Sequence, residues 1–588
     1  MRCYKNTLRK FCCLNLLLLS HAVSGLEVDL GYVSGNIDTT LSYGQLYRMQ
    51  TPSGSLIGIS NGGTAASVNG DDGNLNYDTG LISKTGKVTI EADLNIGQSS
   101  GLFFRGFGFR DGSADDTSRT ALTDEAERLV QGNAVLRDLY AWHAFDLFNR
   151  PAEIRIGEQV LSWGESTFIQ NSINTINPVD VSSLRTPGSE LREGLVPVGM
   201  VNFNLALTNN LSIETYYQYD WQQTEIDPLG SYFSTNDFAS DGAQFLVGAG
   251  VGTIPDYVTV GTTLVPTTDI TAAAFGGLTG PQVTATRTDD LEPGNGGEYG
   301  IALRLFAPSL NQTEFGFYHI HYHSRLPIIN GRVSTGLALA GAEYQISYPD
   351  DINLYGFSFN TELGNSGIAF QGEYSFRQDA PLQIDDVEIL AAALSGGVVP
   401  NQIGTFAPGE FIPGHIERNV SQMQFTASKI FGPTLGADQL FLISEWAMTH
   451  VHNMPGKSDL LLDAPGTYTS GNPNNVALLA GHTLISPNRF ADATSWGYRV
   501  AGRLDYNNAL FDAVNLQTRF AWQHDVGGIT PGPGGNFVAG RKILNLGIRA
   551  TYLNQWEADL SYTTYIGDHE QHLLHDRDFL AFNVKYAF

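Results

Sequence analysis

The side chains best placed to act on a solute are cations that recur with one parity. Arg304, Arg499, Arg503, Arg519, Arg549 and Lys585 lie in alternating stretches, on the parity opposite the large apolar residues. Unpaired cations lining a confined path would attract and orient an anionic or carboxylate-bearing solute. Acids of the same parity, Glu214, Glu373, Asp505, Glu557 and Asp559, offer the other outcome, in which the cations are neutralised and brace a wall. His319, His321 and His323 also share a parity, in EFGFYHIHYHS at 314–324. A strand spaces them about 7 Å apart, too far to share one ion without bending, so they read as a polar row facing the lumen. In DDGNLNYD, Asp71, Asp72, Asn74 and Asp78 are spaced loosely like a calcium loop. The terminal bidentate Glu of such loops is missing, and Asx turns explain the pattern as well.

Nucleophilic chemistry finds less support. The only cysteines are Cys3, Cys12 and Cys13, so beyond residue 13 no thiolate centre, iron–sulfur cluster or disulfide is available. Gly164-Glu165-Ser166 does not extend to a Gly-x-Ser-x-Gly elbow. A Ser–His pair could hide on one strand face among 13 histidines, yet nothing singles one out. The reading is therefore not an enzyme and without cofactor, a barrel-embedded hydrolase being its third alternative.

The elements that carry these residues are strands. The final stretch places Leu580, Phe582, Val584, Tyr586 and Phe588 on one face and Ala581, Asn583, Lys585 and Ala587 on the other. Side chains alternate across a strand, so one face meets something apolar and the other something wet. The pattern recurs at 556–566, 544–552, 514–523 and 496–506, with Trp, Tyr and Phe often ending the apolar face, as in the aromatic girdles of membrane barrels. With noisier segments at 88–96, 152–163, 200–207, 211–221, 298–306, 355–361 and 367–377, some eighteen strands are expected. Short links near 97, 209, 308, 364, 507 and 554 alternate with long ones at 223–297, 326–350, 378–417, 451–494 and 526–539. Short turns at one end and long loops at the other are the rule for antiparallel transmembrane barrels. The expected fold is all-β: one large antiparallel transmembrane β-barrel of about 16–18 strands. Two short helices are expected in loops, at 123–131 and 387–394, the second either lining an apolar way in or packing on neighbouring loops.

Composition agrees. Charged residues are 16% against about 25% in soluble chains, and acids outnumber bases 60 to 33, which disfavours nucleic acid as a partner. Arg2, Lys5, Arg9 and Lys10, the apolar run 11–19 and small residues at Ala22, Ser24 and Gly25 read as a secretory signal over 1–25. The barrel domain is then 26–588. No later window reaches 18 consecutive apolar residues, so no membrane helix is expected.

The stretches IRIGEQVLSWGESTFIQN at 154–171, INPVDVSSLR at 176–185 and EIDPLGSYFSTNDF at 225–238, with the Asp/Asn loop near 71 and the terminal Phe588, carry a resemblance. Together they resemble the Gram-negative outer-membrane family catalogued as domain of unknown function 1302, over nearly the whole mature chain. The resemblance implies a barrel in the outer membrane, in contact with its lipid. It further implies work with a periplasmic lipid-carrier-like protein and an inner-membrane exporter of the resistance–nodulation–division type, and so movement of lipid-like, hydrophobic or amphipathic molecules. A structural or docking barrel with a filled lumen is the alternative. The long link 164–197, which begins just after Trp163 and is stiffened by Pro178 and Pro187, is expected to enter the lumen as a plug or gate, with Trp163, Pro178, Asp180 and Arg185 as its marked residues.

Overall fold

The computed structural model describes residues 25–394, 399–475, 484–567 and 570–588. The export signal expected at 1–25 lies, but for Gly25, outside the described residues. Eighteen strands close into a ring, and a nineteenth, Leu26–Asp29, pairs only with the first of them. The ring strands are β1 (Val33–Arg48), β2 (Gly80–Ile96), β3 (Ser100–Asp111), β4 (Gly132–Leu147), β5 (Arg150–Gln159) and β6 (Val198–Ala206). They continue as β7 (Leu211–Gln218), β8 (Tyr299–Ala307), β9 (Thr313–Tyr322), β10 (Ile352–Glu362), β11 (Ile368–Gln383) and β12 (His415–Phe431). The last six are β13 (Gln439–Val451), β14 (Thr494–Leu510), β15 (Val514–Gly527), β16 (Lys542–Tyr552), β17 (Trp556–Ile566) and β18 (Phe579–Ala587). Every strand pairs antiparallel with its ring neighbours, and β18 closes on β1 from Thr40↔Ala587 to Arg48↔Phe579. Phe588 completes the seam by exchanging backbone bonds with Thr39 at 2.7 and 2.9 Å.

Alternation explains the closure. A sheet whose outer face is apolar needs lipid on that face, and a ring leaves no unpaired edge within it. Leu41, Val88, Ile90, Ile156, Ile301, Leu303, Phe317, Phe357, Leu546, Ile548 and Leu560 all stand exposed on the outward parity. A continuous belt of this kind is untenable in water. Rings border it at both ends: Trp556 and Tyr586 lie 4.6 Å apart near the short turns, and Tyr217, Tyr299 and Tyr355 stand exposed near the long loops. Connections alternate without exception, eight short turns at one end and nine long loops at the other. Among the described residues no helix is long and apolar enough to cross a membrane.

Several boundaries differ from the sequence reading. β5 stops at Gln159 rather than 163, because the chain leaves the wall there and turns inward. β14 runs through Leu510, so the turn expected at 507–510 falls at 511–513. The loop helices are Asp124–Val130, with the Thr123 side chain accepting from the Ala126 amide at 3.2 Å, and Asp386–Ala393.

Candidate functional site

The loop between β5 and β6, residues 160–197, does not lie over the barrel. It crosses the inside. Near its start Trp163 is 1% exposed, its ring 5.2 Å from Tyr216 of β7 and 5.9 Å from Tyr318 of β9, and its Nε1 donates to Glu214 at 3.0 Å. Ile173 and Ile176 are equally buried, in one cluster with Met200, Ile320 and Leu354 on the inner wall. Each such fully buried side chain is worth roughly 1.5–3 kcal/mol of apolar transfer. The wall is cut to receive them. A Cβ at Gly300 would stand 2.8 Å from the Trp163 ring, and one at Gly356 would stand 2.9 Å from Ile173 Cγ1. Only glycine lets backbone and plug approach so closely.

Polar anchors fix the backbone of the segment. The Glu445 carboxylate on β13 accepts the consecutive amides of Thr167, Phe168 and Ile169, each at 2.7 Å, and the Thr426 hydroxyl at 3.0 Å. Glu373 on β11 accepts the Glu165 amide, the Ile173 amide at 3.3 Å and the Gln424 side chain at 3.1 Å. Asp180 caps the helix Val181–Arg185 by accepting from the Ser183 amide at 2.8 Å and pairs with Arg137 of β4 at 2.8 Å. Farther on, Glu193 pairs with the buried Lys87 of β2, and Glu190 with Lys585 of β18 at 2.9 Å. The segment thus reaches from β11–β13 to β18, β1 and β2, on opposite sides of an eighteen-strand ring. It spans the lumen.

Inside the segment, Glu165 accepts from the Asn360 side chain at 3.1 Å. Burial pushes its carboxyl up to about 7; the Asn360 bond opposes the rise, and the nearby Glu314 and Glu373 add to it.

The arginines of the sequence reading point inward, and each finds an acid. Arg304 pairs with Glu214 at 2.6 Å, Arg499 with Asp525 at 2.8 Å and Arg503 with Asp505 at 2.9 Å. Asp559 receives Arg519 at 2.7 Å from Nη2 and Arg549 at 3.3 Å, and Lys585 is held by the plug itself. The outcome is the bracing one, and no run of free cations lines a path through these residues.

The histidines require a correction. His319 and His321 face outward, not into the lumen. They lie in the aromatic belt near the long loops, the His321 ring stacked 5.2 Å from Tyr299 and the His319 ring tilted 5.0 Å from Tyr355, and both meet the Asn353 side-chain oxygen Oδ1 at 3.3 Å. The inward parity of β9 is Gly316, Tyr318, Ile320 and Tyr322, which packs on Trp163 and its neighbours. A filled lumen is apolar where an open one would be wet, so the polar-equals-inward rule inverts there. Phe315 and Phe317, on the histidine parity, already signalled the lipid side. His323 lies past the strand end, buried, where its Nδ1 accepts the Asp351 amide at 3.1 Å and its amide reaches Glu298.

The calcium-like loop comes together only in part. Asp72–Asn76 is a short helix, Asn74 accepts from Arg48 at 2.8 Å, and Asp78 stays at the surface with the Thr79 amide. Of these, Asp71 and Asp72 converge with another carboxylate, Asp237, and Arg119 supplies positive charge beside them, at 2.9 Å from Asp72 and 2.6 Å from Asp256. Burial raises the Asp71 carboxyl to about 7 and that of Asp237 to about 8.

The three stretches that carried the family resemblance meet in space. Residue 180 bridges residue 225, the Val181 amide donates to the Glu225 carbonyl at 2.9 Å, Arg185 pairs with Asp227 at 3.3 Å, and the Arg185 guanidinium lies 4.4 Å from the Phe233 ring centre. Gly73 abuts the Ser231 and Ser234 carbonyls. A second feature opens at the long-loop end: a cavity of about 300 Å³ whose wall includes Leu246, Ala285, Leu339, Ile389 and Leu390. The helix expected at 387–394 forms one side of it.

Fold and site together define a transmembrane β-barrel whose lumen is occupied by its own β5–β6 loop. The chain belongs to the family described as "Protein of unknown function (DUF1302)", whose model matches residues 8–588. Among curated proteins none matches. Solved barrels are similar at low identity. OccAB4 of Acinetobacter baumannii shares 11% identity over 94% of this chain and 97% of that one, with a TM-score of 0.40. A BenF-like porin from Pseudomonas fluorescens Pf-5 shares 10% over 94% and 98%, also at 0.40. Pseudomonas aeruginosa OpdK, solved with vanillate, shares 9% over 94% and 98%, at 0.39.

Proposed function

We propose that this chain is a gated conduit of the outer membrane of a Gram-negative bacterium that takes part in moving lipid-like, hydrophobic or amphipathic molecules across the envelope. One observation carries the reading: residues 160–197 bridge the lumen through non-covalent anchors on both walls, an arrangement that can be released and remade. The apolar belt with its two aromatic borders supports the membrane placement. The 300 Å³ apolar cavity at the long-loop end supports an apolar solute, since a site of that lining gains by excluding water from hydrocarbon. In this reading the short-turn end faces the periplasmic lipid-carrier-like protein and, through it, a resistance–nodulation–division exporter.

A docking barrel is the second reading, favoured by how completely Trp163, Ile173 and Ile176 fill the centre. Hydrolysis is not part of the proposal. Ser421 and His452 do approach to 2.7 Å on the barrel exterior, but Tyr374 shares the serine at 2.9 Å. The amides around Ser421 belong to the ladders with β11 and β13 and are not free to hold an oxyanion.

The test is transfer of a fluorescent fatty-acid probe across proteoliposomes holding the full chain. Probe transfer that falls when Leu390→Asp puts a charge in the cavity wall supports the conduit. Transfer no faster than in protein-free liposomes, even after the plug anchor is cut, supports the docking barrel.

A further inference from the structure

A second carboxylate cluster lies in the long loops, apart from the lumen. Asp385 and Asp386 begin the helix Asp386–Ala393, and Asp463 comes from the β13–β14 loop; one oxygen of each lies within 4.8 Å of the others. The backbone there is built, not slack. The Asp385 amide donates to the Leu461 carbonyl at 3.1 Å, the Asp463 amide to Gln383 at 3.0 Å, and the Ile384 amide to Gly414 at 2.8 Å.

The side chains behave otherwise. Asp385 is 0% exposed, and neither of its carboxylate oxygens has a hydrogen-bond partner. It occupies the cap position of its helix without making a side-chain cap bond, and the Val387 amide lends it only a partial electrostatic offset. Asp386 Oδ1 is likewise unpartnered, as is Oε1 of the buried Glu388 one turn along. Among the described residues no Lys or Arg contributes to the electrostatics of Asp386 or Asp463. The contrast with Asp71, Asp72 and Asp237 is plain, because there Arg119 supplies the positive charge.

Three carboxylates thus converge, Asp385 fully buried and Asp386 and Asp463 half-buried, with unpartnered oxygens on Asp385 and Asp386, and they lack a counter-charge of their own. We infer that Asp385, Asp386 and Asp463 hold a hard divalent cation, and that calcium is the ion of choice. The donors are all oxygen, which excludes a thiophilic metal. Calcium–oxygen distances of about 2.3–2.6 Å place opposite ligands about 4.6–5.2 Å apart, and the ion tolerates irregular shells. Magnesium, at about 2.0–2.1 Å, demands a tighter octahedron. Glu388 is available as a further ligand from the same helix. That helix also walls the apolar cavity through Ile389 and Leu390, and Asp386 borders both. The cation would therefore seat the helix that shapes the cavity. The assignment of the ion does not depend on what the barrel conveys.

The test uses the full chain in detergent, stripped with a chelator and titrated with terbium under excitation of aromatic side chains; Tyr468 neighbours Asp386 and Asp463 but also Asp237 and Asp71, so the variants below assign the signal to one cluster. Saturable luminescence displaced by calcium is expected. Asp385→Asn with Asp463→Asn should weaken it by at least about 10-fold, and because that change removes repulsion the barrel should still fold, as judged by its heat-dependent mobility. Asp71→Asn should leave it unchanged. Absence of saturable binding in the wild type, equal binding in the double variant, or loss that follows Asp71→Asn would each overturn the assignment.

Discussion

Glu445 is the most exposing place to cut the plug. Its carboxylate accepts three successive amides at 2.7 Å and a hydroxyl at 3.0 Å, at 0% exposure. Hydrogen bonds to an ionised group contribute about 1.5–3 kcal/mol each, and a buried donor left unmade costs about 1–3 kcal/mol. Water entering the vacated space restores part of this, so Glu445→Ala should weaken the seated state by about 3–6 kcal/mol. At about 1.4 kcal/mol per decade, the ratio of seated to released plug falls by about 10²–10⁴. Glu445→Gln keeps one acceptor and should fall between. The assay is single-channel recording in planar bilayers, with heat-dependent gel mobility confirming the barrel. Glu557→Ala is the control, since Glu557 faces inward yet meets only Arg549, at 3.4 Å. Glu445→Ala should open frequent long-lived events that the control lacks. A folded Glu445→Ala barrel with wild-type current would refute the anchoring argument.

Other outcomes follow from the same geometry. Between the ordinary glutamate value of 4.5 and about 7, seated Glu165 holds a proton that the released side chain gives up, so seating weakens as pH rises through that window and the loss is complete above about 7. Channel openings should therefore increase from pH 5 to about 8, and Glu165→Gln should flatten the profile. Trp163→Ala, by removing a buried ring, should cost the seated plug about 3–5 kcal/mol and raise open probability, read in the same bilayers. His319→Phe with His321→Phe should leave conductance unchanged, because both rings face lipid; a shift in ion selectivity would contradict that placement. Ester hydrolysis should be at background and unaltered by Ser421→Ala in a detergent assay with a chromogenic acyl ester.

Much of the fold was legible because strand periodicity and a lipid-facing wall impose the same alternation. Leu544, Leu546 and Ile548 against Asn545, Gly547 and Arg549 leave little freedom, and the rhythm of short and long links follows from antiparallel closure. The link at 164–197 was marked by its length and prolines, and the structure places it across the lumen. What stayed hidden depends on partners remote in sequence. The strand residues Glu373 and Glu445 meet amides more than 200 residues earlier, a pairing that no local pattern encodes. Inward glycines at 300 and 356, in strands where a side chain would otherwise fill space, were the available hint that something approaches the wall. The polarity of His319 and His321 points to the lumen, whereas Phe315 and Phe317 on the same face mark the lipid side that they occupy.

Residues 160–197 of the chain close its own membrane-embedded ring. Ionic conductance in planar bilayers of the chain with residues 173–192 excised, set against the wild type, decides whether they do. Large, steady conductance in the excised chain with a nearly silent wild type is what the plug predicts. Equal conductance in two properly folded barrels would contradict it.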